Sequence, residues 1–178
     1  QQDFDFACGS GMTIRLLAVS RILEDGRLSA VVAPFMVPRE HPLASVGDVF
    51  NGVLITGNML GDTLFYGRGA GKLPTASAVA ADVIDCVRNR GRSVMAGWGS
   101  GKAEIADIAE NERHFFVRTS AEDAERVRKA FQGEKEGASE GSFLDGEFGF
   151  FTPVMKEKDF QERCRELGDA IKSRIRLI

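Results

Sequence analysis

The chain has 178 residues, 43% of them apolar and 28% charged, and its 23 Lys and Arg against 26 Asp and Glu leave a formal net charge of −3. That is enough for one well-buried core or two small ones, and the basic residues are scattered among acidic ones, so a nucleic-acid partner is excluded. No run approaches the roughly 20 apolar residues that a bilayer span needs, so no membrane partner is expected; the opening QQDFDF has the features of neither a signal nor a transit peptide, which places the chain in the cytoplasm.

Cys8, Cys86 and Cys164 are odd in number, far apart and without CxxC spacing, which argues against a disulfide framework and against a metal site. Cys86 and Cys164 fall at apolar positions of predicted helices and read as buried, reduced thiols. The first residue is Gln rather than Met, so the chain reads as a piece of a longer polypeptide.

In chain order, Met12 to Ile22 and LSAVVAPFMV read as two strands around EDGR, where Asp25-Gly26 is a two-residue hairpin signal. Pro34 and Pro38 cannot donate in a ladder, so the second strand is expected to end there or lie at an edge. VFNGVLITGNMLGDTLFYG repeats the pattern around a turn at Gly57 to Asp62. A helix follows from Pro74 to Arg88, with Val79, Val83, Ile84 and Val87 at helical spacing.

Three glycines and no sustained period mark residues 93–112 as a linker. Beyond it RHFFVRTS reads as a strand, and SAEDAERVRKAF as a helix with Ser120 as cap, Asp123 at the reciprocal position, and Ala124, Val127 and Phe131 on one face. GEKEGASEGS is a polar loop, FLDGEFGFFTPVM a strand, KEKDFQERCREL a helix with Phe160, Cys164 and Leu167 on one side, and IKSRIRLI a final strand.

Two glycine-rich loops invite comparison with phosphate-binding motifs. In GRGAGKL and GSGKAE the hydroxyl position after Gly-Lys holds Leu73 and Ala103, and the leading glycine is replaced by Tyr66 and Ala96, so neither fits a nucleoside-triphosphate loop. The G-x-G-x-x-G dinucleotide fingerprint fails as well, since the strands before GRGAGK look antiparallel. What remains is a sterically open backbone feeding a helix start, which suits an anion or the close approach of a ligand; a tight turn alone explains the glycines equally well. His41 and His114 have no nucleophile or metal-spaced carboxylate nearby in sequence and read as structural. No complete catalytic constellation is visible.

MTIRLLAVSRI together with PREHPLASVGDVFNGVLITGNMLGDTLFYGRGAGKLPTASAVAADVI resembles the homoserine dehydrogenase family over roughly residues 9 to 90. The family's substrate domain carries a basic LLA strand, an HPLA segment, an FN-initiated strand and YGxGAGxxPTASxVxxD in this order. The resemblance implies an oxidoreductase that interconverts L-homoserine and L-aspartate 4-semialdehyde with NADP or NAD in threonine, methionine and isoleucine biosynthesis. It implies cofactor contacts at Gly69 and Gly71 and a homodimer formed through the sheet. The family's Rossmann domain and the segment with its catalytic lysine and substrate carboxylates have no counterpart here; Arg15 and Lys72 match other positions. No catalytic residue is therefore assigned, and the chain by itself is expected to be inactive.

The expected fold is α+β: a mixed or antiparallel sheet with helices on one face, residues 1–92, then the linker at 93–112 and a small ACT-like βαβ-type domain at 113–178. RTSAED lacks the Asp-x-Pro-Gly that shapes ACT effector sites. The alternative is a stand-alone regulatory or oligomerisation module without catalysis.

Overall fold

Residues 1–92, 97, 99–132 and 141–178 are described by the computed structural model. Gln2–Gly9 form helix α1, an element for which the sequence offers no periodic stripe; its buried residues are Phe6 and Ala7. Strands β1 (Met12–Ile22) and β2 (Leu28–Pro38) pair antiparallel in unbroken register from Met12↔Pro38 to Ile22↔Leu28.

The hairpin between them departs from a two-residue turn. The Gly26 N–H donates to the Leu23 carbonyl at 2.9 Å, and of the Asp25-Gly26 pair only the glycine takes positive φ, at 85°. Five residues thus lie between the strands, and Asp25 accepts from the Arg27 backbone instead of adopting the left-handed region. Pro38 ends β2, as expected, while Pro34 lies within it. The Arg39 N–H bonds the Gly11 carbonyl at 3.0 Å, so odd-numbered residues of β2 face the ladder with β1 and even-numbered ones point away from it. Both prolines are even-numbered and forfeit no bond to β1.

Strands β3 (Phe50–Gly57) and β4 (Gly61–Arg68) form a second antiparallel hairpin, followed by α2 (Lys72–Arg88). They belong to a compact unit of residues 40–102. Helix α2 starts before Pro74, which occupies its third position, and it has no buried residue: Val79, Val83, Ile84 and Val87 are all exposed.

The rest of the chain continues with a 3₁₀ turn at Ile108–Glu110, β5 (Glu112–Arg113), β6 (Phe115–Ser120) and α3 (Ala124–Gln132). Then come β7 (Ser142–Leu144), β8 (Glu147–Phe151), β9 (Met155–Lys156), α4 (Glu157–Leu167) and β10 (Ile171–Leu177). The single strand expected at FLDGEFGFF is a hairpin of β7 and β8, turned at Asp145 and Gly146 with φ of 49° and 79°. The polar loop expected at GEKEGASEGS falls almost wholly outside the described residues, as do parts of the expected linker.

The principal sheet has strand order β1-β2-β10-β6-β8-β7, with β10 parallel to β2 and antiparallel to β6. The part from β6 to β10 is a βαββαβ plait of the split type, one strand richer than the sequence suggests. Side chains alternate across β6: Phe115 and Val117 pack with Val127, Phe131, Phe160 and Cys164 of α3 and α4, while Phe116 packs with Phe6, Ala7 and Met36. The fold class is α+β with a mixed sheet, as expected, but α1 covers the face opposite α3 and α4.

The domain boundary differs from a linear division. Residues 1–39 and 103–178 form one compact unit and 40–102 the other. The physical reason is the pairing of β2 with β10 and the seating of α1 on the plait. The described stretch from 103 is strapped to β2 as well: the Leu28 N–H donates to the Glu104 carbonyl at 2.8 Å and the Ala106 N–H to the Leu28 carbonyl at 2.9 Å.

Candidate functional site

The glycine loop is built by register. Phe50 and Arg68 are opposite one another where β3 begins and β4 ends. The Arg68 guanidinium lies 5.1 Å from the centre of the Phe50 ring, which stacks on Tyr66 at 5.0 Å. This fixes where β4 releases the chain into Gly69.

At Gly69 a Cβ would stand 1.5 Å from the Asn51 side-chain nitrogen, so only a bare backbone fits without moving Asn51. Gly71 is the N-cap of α2 with φ 117° and ψ 159°, a region that side-chain-bearing residues avoid. The Thr75 N–H bonds the Gly71 carbonyl at 3.2 Å. Lys72 and Leu73 precede the first residue whose amide can find an acceptor inside the helix, and Pro74 has no N–H to offer. No side chain caps this helix and its first turn carries no acidic residue. The result is an exposed helix start with two donor amides and the positive end of the helix dipole, a surface that favours an anionic ligand approaching main chain. Asn51 was not singled out from the sequence; its only signal is its place in the FN pair that opens β3.

The two histidines take structural roles. His41 Nδ1 accepts the Leu43 N–H at 3.2 Å within a loop, and His114 Nδ1 donates to the Thr152 carbonyl at 2.8 Å. Cys164 is buried, and burial pushes its thiol pKa up. Cys86 is exposed, contrary to expectation, because the apolar side of α2 lies open. Among the described residues no group of three His, Cys, Asp or Glu is placed to hold a metal ion.

A second polar centre lies inside the plait unit. Glu157, at the start of α4, is 1% exposed and receives Arg176 through two nitrogens and Gln161 at 3.4 Å. Arg113 Nε lies 3.9 Å from the same carboxylate, and its guanidinium sits over the Phe35 ring at 5.4 Å. Burial lowers the Arg113 pKa from its ordinary value, Glu157 opposes that shift, and Arg21 and Arg176 reinforce it.

The homoserine dehydrogenase family profile matches residues 1–84, the stretch that ends inside α2. A homoserine dehydrogenase of Synechocystis sp. is 50% identical over 88 residues, covering 48% of this chain and 20% of that protein. Over this stretch the chain matches the homoserine dehydrogenase family. The homoserine dehydrogenase of Mycobacterium bovis is 37% identical over 141 residues, 74% of this chain and 31% of that protein, so likeness extends past the glycine loop. Among solved structures, a homoserine dehydrogenase from Thiobacillus denitrificans superposes with a TM-score of 0.79 at 25% identity, covering 99% of this chain and 45% of that one. The fold of the plait unit and that of the hairpin unit thus both recur in homoserine dehydrogenases. The chain spans a fifth to a third of the length of these curated relatives.

Proposed function

We propose that this chain is part of an enzyme that interconverts L-homoserine and L-aspartate 4-semialdehyde, with NADP or NAD as the hydride carrier. The observation that carries the reading is the bare backbone at Gly69 and Gly71, set on a helix start with free amides in a stretch that matches the homoserine dehydrogenase profile. In this reading Gly69 and Gly71 meet the nicotinamide end of the dinucleotide, whose affinity comes chiefly from residues outside this chain. When bound, the cofactor supplies the hydride acceptor or donor. The chain's own contribution is to leave room for it and to present the Lys72 and Leu73 amides.

The finer features follow the same reading. The enzyme is cytoplasmic, the amino-acid substrate is held by residues outside this chain, and two copies join through the sheet. Leu16, Ile22 and Val32, all more than two-thirds exposed on one face of the β1–β2 ribbon, support a buried surface there. The βαββαβ plait is ACT-like and has a regulatory role; its strand order supports the assignment. This chain alone is inactive.

The test compares homoserine-dependent reduction of NADP and NAD by this chain alone and by the chain joined to the N-terminal portion of a curated relative. No turnover alone and clear turnover in the joined protein are expected. Absence of turnover in a folded, coenzyme-binding joined protein would favour a regulatory module without chemistry, and turnover by the chain alone would overturn the division of labour.

A further inference from the structure

A cavity of about 290 Å³ lies within the unit that holds the plait. Its floor is one face of the β1–β2 ribbon, where Val19 is opposite Val31 and Arg21 is opposite Ser29. Its wall is the stretch from Ala106 to Arg113, held on the ribbon by the backbone bonds at Leu28 and by a side-chain pair: Ser29 Oγ and the Asn111 amide lie 2.9 Å apart.

The charges that line it are unequal in their commitments. Arg27 is paired with Asp25 at 2.7 Å, Glu110 is held by Lys156 and Lys158, and Asp107 accepts the Ala109 N–H at 2.9 Å. That leaves Arg21, Arg113 and Glu112. Arg21 is exposed and has no ion pair among the described residues. The Arg113 side chain is only 9% exposed, and its buried Nε has no hydrogen-bond partner among the described residues. The carboxylate that faces it, Glu157, is beyond hydrogen-bond distance and already engaged by Arg176 and Gln161. A buried guanidinium donor left unbonded costs free energy that a bound acceptor recovers. Two guanidinium groups in one concave site, each with planar forked donors, match the oxygens of a carboxylate or phosphate group.

We infer that this cavity binds a small oxyanion, a carboxylate or phosphate group, between Arg21 and Arg113. The site is distinct from the glycine loop and does not depend on the dehydrogenase reading, because its occupancy is measured without coenzyme or homoserine. Ligand occupancy would tie β1, β2 and the 106–113 strap together.

The experiment titrates ¹⁵N-labelled chain with inorganic phosphate and, in a separate arm, with acetate, at ionic strength fixed with sodium chloride. Saturable movement of the Arg113 Nε–H resonance in either arm is expected, and the tighter arm identifies the oxyanion class. Arg21→Met, an exposed strand substitution, should keep the native amide spectrum and weaken binding at least tenfold. Lys172→Met removes the same charge at an exposed β10 position that does not line the cavity and should leave binding within twofold. No saturable response in either arm, or an equal loss in both variants, would overturn the inference.

Discussion

Phe6 of α1 lies over Gly149 of β8 so closely that a Cβ on the glycine would stand 2.8 Å from two atoms of the Phe6 ring and equally near Phe116. The rings of Phe6 and Phe116 meet at 5.7 Å, and Asp3 and Gln2 of the same helix hold Arg118 at 2.8 and 2.9 Å. Gly149→Val should therefore lever α1 off the sheet, and Phe6→Ala should empty the pocket beneath it. Overpacking of this kind costs about 1–3 kcal/mol and loss of a buried phenyl ring about 3–5 kcal/mol. Urea denaturation checks both; unchanged midpoints would show that α1 adds nothing to the plait.

Gly69 and Asn51 should behave as a coupled pair. Gly69→Ala forces the Asn51 side chain aside, so its cost should shrink by about 1 kcal/mol when Asn51→Ala is made as well. Gly71→Ala places a side chain at φ 117° and should cost about 1–3 kcal/mol whatever stands at Asn51. Amide-exchange protection of α2 in the four variants reads the difference. Additive effects at Gly69 and Asn51 would contradict the contact.

Glu157 is the most deeply buried carboxylate described, and Arg176 and Arg113 both converge on it. Removing one member of such a group leaves uncompensated charge, at a cost of about 3–5 kcal/mol. Glu157→Gln keeps the shape and removes the charge, and should lower the thermal midpoint more than Glu166→Gln does on the exposed side of the same helix. Equal shifts would show that the buried pair contributes no more than a surface residue.

Glu110 supplies a pH test. Hydrogen bonds from Lys156 and then Lys158, with the charges of both, hold its carboxyl at about 2 against an ordinary 4.5. A depressed carboxylate stabilises the fold above its unfolded value, and this contribution fades as pH falls through the folded one. The tie between the 3₁₀ turn and α4 should thus be complete above about 4.5 and lost near 2; at this exposed site solvent screening keeps its energy small. Carbon-13 titration of the Glu110 carboxyl should show the low midpoint and its return toward 4.5 in Lys156→Ala/Lys158→Ala. A midpoint near 4.5 in the unaltered chain would refute the pairing.

Much of this architecture is legible where a signal is local. β1 to β4 announce themselves through β-branched runs broken by turn residues, and α3 through the Ser120 cap, whose Oγ accepts the Asp123 N–H at 3.2 Å. Helix α1 is not legible, because its eight residues offer just Phe6 and Ala7 to the core and no repeating stripe. The helical period of α2 is plain, but a period states that a face is apolar, not what covers it; hence the exposed Cys86. Asp145-Gly146 carries the same turn chemistry as Asp25-Gly26, and there both residues take positive φ. The glycines of the site are visible in sequence; the Asn51 contact is not, since it depends on the β3–β4 register. The β2–β10 pairing is the least legible feature, because it joins Phe35 to Arg176 across nearly the whole chain.

That last pairing governs the order of assembly. β10 is the final strand in sequence yet stands between β2 and β6 in the sheet. During synthesis the β1–β2 hairpin emerges first and β6 to β8 later, and no strand can join their edges until residues 171–177 have left the ribosome. Contacts of such long sequence separation make for slow folding. Between the emergence of β6 and that of β10 the nascent chain therefore carries two open strand edges, and the short segment IKSRIRL closes both at once.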